Sequence, residues 1–439
     1  MSEPVNKAPR HQYEAFLRQL PADWDHQEIT QLGAVVGGGT PSREVPSFWR
    51  GPIPWVTPGE VSGEASKLLH DTQEHISPSG LAGSGANLLP AGSLLVTTRA
   101  TLGARVINAV PMATNQGFKS IVFKKPEEAS YYYHLFEKVK PELVRRASGT
   151  TFLEISGAEF GSIKLPSPSP EEKLKIAELL DTLDTAIHQT EAIVDKLKQV
   201  KQGLLHDLLT RGVDANGELR PSYEEAPELY QESPLGWIPK EWEVKVIAQI
   251  GTVVGGGTPS REVPSFWRGE IPWLTPGEVS KETEKYLQDT REHISQSGLA
   301  GSGANLLPKG SLMVTTRATL GARIINATPM ATNQGFKSII FKRSEDVNYY
   351  FHAFSRLEPE LVRRSSGTTF LEISGAEFSA LQVPSPQPFE KDLIARILDT
   401  ADQRIADETD QLRKLIAQRL GLMDDLLTGR VRVTPLLAQ

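Results

Sequence analysis

The 439-residue chain contains no cysteine. That absence excludes a disulfide scaffold, a CxxC zinc ribbon, a thiol nucleophile and an iron–sulfur cluster. Long hydrophobic runs are missing too. Nothing approaches the roughly 18 apolar residues that signal a membrane-spanning helix, so no membrane partner is expected. The opening stretch MSEPVNKAPRHQYEAF has no apolar core, and without a visible secretory signal the expectation is a soluble, cytoplasmic protein. Catalytic signatures are equally scarce. There is no G-x-x-x-x-G-K-[ST], no G-x-G-x-x-G after a strand and no H-E-x-x-H, and Pro41 keeps the glycines at 37–39 from opening a phosphate-binding helix. The Asn-Pro-Pro-aromatic run of base amino-methyltransferases is absent. His75 and His293 stand at matching positions without evident Asp, Glu or Cys company and read as structural. No catalytic residue, no metal ligand and no cofactor of its own are therefore assigned.

What is present is written twice. Residues 37–51, GGGTPSREVPSFWRG, recur letter for letter at 255–269. The offset of 218 runs without a gap from Trp24/Trp242 to Val213/Val431, and only about 26 of the 124 positions from 37 to 160 differ. Solenoid units are roughly 20–50 residues long; this is a module and its connector in tandem. The net charge of −7, from 47 basic and 54 acidic residues, counts against a nucleic-acid partner until it is divided. Residues 37–164 carry 13 basic and 11 acidic side chains, 255–382 carry 14 and 13, and 171–235 carry 7 and 14. The acidity belongs to one connector, and the modules themselves are near neutral.

Within each module, short apolar runs such as 93–99, 104–108, 119–123 and 162–166 lie between turn residues and predict strands. The stretch 129–146 predicts a helix or a helix pair, with Pro141 at the break. After Pro166, Pro168 and Pro170 the pattern changes. Leu180, Leu183, Ile187, Val194, Leu197 and Leu204 fall at alternating spacings of three and four with polar fillers, and Leu398, Ile405, Leu412, Leu415 and Leu422 repeat them. This is a coiled-coil seam, on helices of about 60 Å each. Antiparallel pairing of the two would give a dumbbell. The fold class is thus mixed α+β, two pseudo-symmetric α/β modules joined by two long antiparallel helices. The expected domains are 1–167, a long helix at 168–213, linker and second module at 214–385, and a second long helix at 386–439.

Four clusters common to both copies suit DNA by residue type. Thr40, Ser42 and Arg43 (Thr258, Ser260 and Arg261) lie on a rigid turn and serve phosphates. Thr98, Arg99 and Thr101 (Thr316, Arg317 and Thr319) set hydroxyls around one guanidinium. Asn115, Gln116 and Lys119 (Asn333, Gln334 and Lys337) join amides able to read adenine to a cation. Arg145, Arg146, Thr150 and Thr151 (Arg363, Arg364, Thr368 and Thr369) concentrate charge and hydroxyls after a helix.

This layout resembles the specificity subunit of Type I restriction–modification systems. The resemblance covers nearly the whole chain and rests on the order of the GGGTPSR turn, IPWVTPGE (53–60), TTRATLGAR (97–105), ATNQGFKSI (113–121), SGTTFLEIS (148–156), the Pro-rich helix entries and SPLGWIPKEWEV (233–244). Two features depart from the family pattern: the helix entries read SPEEKLKI and QPFEKDLI in place of Pro-x-x-Glu-Gln, and the two modules are unusually alike. The resemblance implies a chain without catalysis of its own. It implies two methyltransferase subunits and two restriction subunits as partners, which hold S-adenosylmethionine, ATP and magnesium, and double-stranded DNA with a bipartite site. Two like modules imply an interrupted palindrome, unless the divergent patches 63–73 and 125–140 read bases. A stand-alone DNA-binding regulator and a non-DNA interaction scaffold are the competing expectations.

Overall fold

The structure, a computed structural model, describes residues 12–62, 66–99, 101–148, 153–279, 284–317, 320–365 and 372–437. The chain forms two compact units, Met1–Glu191 with Asp410–Gln439, and Ala192–Thr409. In the first unit the strands are β1 (Asp25–Glu28), β2 (Gly33–Gly37), β3 (Trp49–Val56), β4 (Leu68–Leu69), β5 (His75–Ile76), β6 (Leu94–Thr97), β7 (Arg105–Asn108), β8 (Ala113–Thr114), β9 (Phe118–Phe123) and β10 (Lys164–Ser167). A five-stranded sheet has the order β2-β9-β6-β7-β4, a three-stranded sheet the order β5-β3-β8, and β1 pairs with β10. All four residues of β6 are buried, as expected of an apolar run covered on both faces. Its period of two sends Leu94 and Val96 into one core and Leu95 into another.

The first of those cores belongs to the helix Ala129–Arg146, which buries Tyr131, Tyr132, Leu135, Phe136, Val139 and Leu143 completely. Ile176 and Leu180 of the first long helix and Met423, Leu426 and Leu427 of the second complete it. In the second unit the same sheets recur, with the five-stranded order Gly251–Gly255, Phe336–Phe341, Leu312–Thr315, Arg323–Asn326, Tyr286–Leu287. The second unit adds a hairpin, Tyr230–Ser233 with Gly236–Pro239, and its module helix differs. The helix that is continuous at Ala129–Arg146, with Pro141 inside it, is split in the second copy into Val347–Ala353, a 3-10 turn and Glu358–Arg364. Ser355 stands at the split and bonds back to the carbonyl of His352 at 2.7 Å, a local bond that competes with the helix.

The long helices run Pro170–Leu208 and Pro388–Leu427. Ser169 caps the first through the Glu172 N–H at 3.2 Å, with Pro170 at the opening position. Each unit ties its helix start to its module through a buried ion pair, Lys173–Glu128 and Lys391–Asp346, both at 2.8 Å. In the first unit Glu172 meets Arg432 and Asp184 meets Arg419; in the second Lys201 meets Asp402 and the Val213 N–H meets Glu390. Advancing on one chain segment means retreating on the other, so the pairing is antiparallel in each unit. Every seam position named from the sequence is buried or half-buried, while Ile193, Val200 and Leu420 off the seam are exposed. Among the described residues no helix is long and apolar enough to cross a membrane.

Candidate nucleic-acid interface

The repeated motifs, scattered in sequence, converge in space. Gly38 and Gly39 run so close to two other loops that a Cβ on Gly38 would stand 1.9 Å from the Asn115 carbonyl oxygen, and one on Gly39 2.2 Å from the Gly85 carbonyl carbon. The contact is locked by Trp55 Nε1–H donating to the Gly39 carbonyl at 2.9 Å and by Asn87 Nδ2 donating to the Gly37 carbonyl at 3.0 Å. Thr40 then donates its hydroxyl to Gln116 Oε1. Asn115 turns its own loop, its Oδ1 accepting the Gly117 N–H at 2.8 Å, a local turn of the kind asparagine favours. The second module repeats these bonds through Trp273, Asn305, Thr258 with Gln334, and Asn333.

Charge is arranged around two carboxylates. Arg43 donates to Glu74 through Nη1 and, at 2.8 Å, through Nη2, and stacks 3.7 Å over the Trp49 ring. These hydrogen bonds hold the Glu74 carboxyl below its ordinary value. Glu154 faces Arg99 at 3.9 Å and Lys119 at 3.7 Å. Arg261–Glu292 over Trp267, and Glu372 with Arg317 and Lys337, are their counterparts. Such exposed pairs contribute little to stability and offer a phosphate an exchange of partners rather than a free cation.

Not every residue singled out from the sequence joins this surface. Thr98 and Thr316 are completely buried. Their hydroxyls donate to the carbonyls of Gly117 and Gly335 at 3.3 and 3.2 Å, and a buried hydroxyl so engaged positions its loop instead of contacting a ligand. Arg145 and Arg146 are turned onto Glu142, at 2.6 Å each, and Arg363 and Arg364 onto Glu360. Ser42, Thr101 and Ser260 are exposed. Thr150, Thr151, Thr319, Thr368 and Thr369 lie outside the described residues. His75 is not without acidic company: Asp71 bonds it at 2.8 Å, as Asp289 bonds His293. Sequence reasoning missed Glu74 and Glu154, although both fall in stretches identical in the two copies, because a basic surface was sought and its counter-charges were not.

One further cluster has metal-ligand chemistry. His134, Asp181 and Asp184 present ligand atoms within 4.8 Å of one another, as do His352, Asp399 and Asp402. Their carboxylates are already neutralised, Asp181 by Lys67 at 2.6 Å and Asp184 by Arg419. In the second unit Lys285 and Lys201 do the same. The cluster therefore fits a polar joint between module and helices better than a cation site. Burial holds the His134 imidazole below its ordinary 6.5 despite its bond to Asp181, and His352 follows. For Asp181, burial acts upward, but bonds from His134, Lys67 and Ser130 bring it down to about 2. Both shifts favour the higher-pH form in the folded state. Stability is thus fully present above pH 6.5, falls below it as the unfolded histidines bind protons, and falls further from about pH 4 to 2. Expected in urea titrations between pH 7.5 and 5 is a declining midpoint that flattens in His134→Gln/His352→Gln; an unchanged slope in that variant contradicts the joint.

Residues 21–199 and 239–418 each match the family model described as Type I restriction modification DNA specificity domain. The chain is 27% identical over 432 residues to the Type I restriction enzyme MjaIX specificity subunit of Methanocaldococcus jannaschii, covering 96% of this chain and 97% of that one. It is 27% identical to the EcoR124I/EcoR124II specificity subunit of Escherichia coli over 46% of this chain and 52% of that one. Among solved structures, the S subunit of a Type I restriction–modification system from M. genitalium superposes with a TM-score of 0.56 at 14% identity, over 93% of this chain and 98% of that one.

Proposed function

Since the chain belongs to the Type I restriction–modification DNA specificity family, we propose that each of its modules reads one half of a bipartite site in double-stranded DNA. The chain is the specificity subunit of such a complex, and catalysis belongs to partner subunits. Two methyltransferase subunits and two restriction subunits are the proposed partners, and S-adenosylmethionine, ATP and magnesium are theirs to bind. The long helices supply their docking surface, and the site lies on the surface where GGGTPSR, TNQGFK and the loop at Glu154 meet. One observation carries the reading furthest: the Thr40–Gln116, Arg43–Glu74 and Arg99–Glu154–Lys119 contacts recur in the second module with the same partners.

Like side chains in like positions read like bases. With the helices antiparallel in each unit, the proposed target is an interrupted palindrome. Mapping N6-methyladenine in cells that express the chain with its methyltransferase subunit tests this. The expected motif has two inverted copies of one half-site around a fixed spacer. An asymmetric motif would overturn the palindrome and point to patches 63–73 and 125–140 as base readers. Failure to co-purify with a methyltransferase subunit would overturn the partner assignment.

A further inference from the structure

Arg50 and Arg268 occupy the left-handed backbone region, with φ of 60° and 58°, the positive-φ residues other than glycine among the described residues. Arginine gains nothing there, since its Cβ crowds the following carbonyl and it lacks the short polar side chain with which Asn or Asp bonds its own backbone. The same conformation at equivalent positions of both copies means that the surroundings impose it. The cause lies in the sheet. Strand β3 loses register between Trp49 and Ile53, both of which face Ile76; Trp267 and Ile271 both face Ile294. The intervening residues bulge from the ladder. Gly51 is pressed against the neighbouring strand, where a Cβ would lie 2.3 Å from the Ser77 Cα, so the bulge cannot shift inward. Arg50 and Arg268 remain exposed.

Their lack of a counter-ion sets them apart. Arg43, Arg99, Lys119, Arg145 and Arg146 are all ion-paired within the module. Neither the Arg50 nor the Arg268 side chain has a hydrogen-bond or ion-pair partner among the described residues. Each follows the tryptophan on which Arg43 or Arg261 stacks, beside the turn at Thr40. We propose that Arg50 and Arg268 are DNA phosphate-contact residues, one per module, held out by the bulge; this rests on the DNA-reading function above. An unpaired guanidinium neutralises a phosphate and releases its counterion without first giving up a carboxylate. The strained backbone is then retained for binding, against local preference.

The test uses the full chain in complex with its methyltransferase subunit and a mixed-sequence DNA duplex, since a phosphate contact acts on every sequence. In Arg50→Gly/Arg268→Gly the slope of log affinity against log salt falls by about two, near one for each lost contact. Thermal stability does not fall, because glycine accepts positive φ without strain. Arg50→Lys/Arg268→Lys, which keeps the charge, retains the slope. An unchanged slope in the glycine variant overturns the proposal. So does a lost slope accompanied by a lower Tm, which would make the arginines structural. If the wild-type complex itself shows no salt-dependent DNA affinity, the DNA-reading function fails instead.

Discussion

Replacing Glu390 with alanine lowers the unfolding free energy by about 3–5 kcal/mol. Glu390 opens the second long helix and is completely buried. Its carboxylate binds Arg220, whose side chain is 7% exposed. It also accepts Trp242 Nε1–H at 3.0 Å and the Val213 N–H at 2.9 Å. The linker can reach it only because Gly212, at φ 63°, has no side chain; a Cβ there would stand 2.1 Å from Glu390 Oε1. Truncation leaves the nearly buried Arg220 with one carboxylate, the exposed Glu241 at 2.7 Å, and orphans two buried donors, and leaving such groups underpaired costs more than the pair itself contributes. The first unit provides the comparison. Glu172, at the equivalent position, binds Arg432; each arginine has a second carboxylate, Glu241 or Asp23, but Arg432 is more exposed, 28% against 7%. Glu172→Ala therefore costs less, about 1–2 kcal/mol. Urea denaturation of both variants decides the matter. Equal losses would mean that the linker arginine is solvated in solution and that the buried network is not what holds the second module to its helix.

Gly38→Ala abolishes methylation and destabilises the first module by about 3 kcal/mol, the upper end of ordinary overpacking. The new methyl would meet the carbonyl oxygens of Asn115 and Thr114 at 1.9 and 2.4 Å. Both obstacles are backbone, so no rotamer change relieves them and the GGGTPSR loop must leave the TNQG loop. The Thr40–Gln116 bond is lost with it. Gly256→Ala meets the Asn333 and Thr332 carbonyls in the same way and disables the second half-site. The adjacent Gly37→Ala is the control, because nothing lies within 4 Å of its Cβ. Methylation in cells and thermal melts of the purified complex should separate neighbouring residues of identical type. If Gly38→Ala methylates as wild type does, the loop contact is not part of the reading surface.

Much of the architecture was legible because burial leaves a periodic trace. The run 93–99 predicts a strand and Leu94–Thr97 forms one; 104–108 and 119–123 correspond to Arg105–Asn108 and Phe118–Phe123. The three-four spacing from Leu180 onward emerges as a helix of 39 residues. The stretch around Pro141 had two allowed outcomes, and the copies adopt one each. A few substitutions, Ser355 among them, tip a nearly balanced choice that no hydrophobic pattern encodes. The candidate site was legible in residue type and less so in role. Thr98 and Thr101 look alike in sequence, yet one hydroxyl is sealed beneath Gly117 and the other residue is exposed. Periodicity reports which face of an element is buried. It does not report which loop lies over it.

The sequence alone determined the duplication, the alternation of α/β module and long helix, and the family, since each is written in local order and repeated at one offset. Tertiary structure alone decided how the charges are spent. Arg43 finds Glu74 and Arg99 finds Glu154, partners far apart along the chain that only the meeting of loops brings within reach. Arg50, a letter of the repeated fifteen, is set apart by a bulge that pairs two residues with one Ile76. The compact units also depend on tertiary contacts. The end of the second helix belongs to the unit that holds the first module, because Met423, Leu426 and Leu427 bury their side chains in its core. Ion pairs and apolar contacts form across space, and sequence distance carries no record of them.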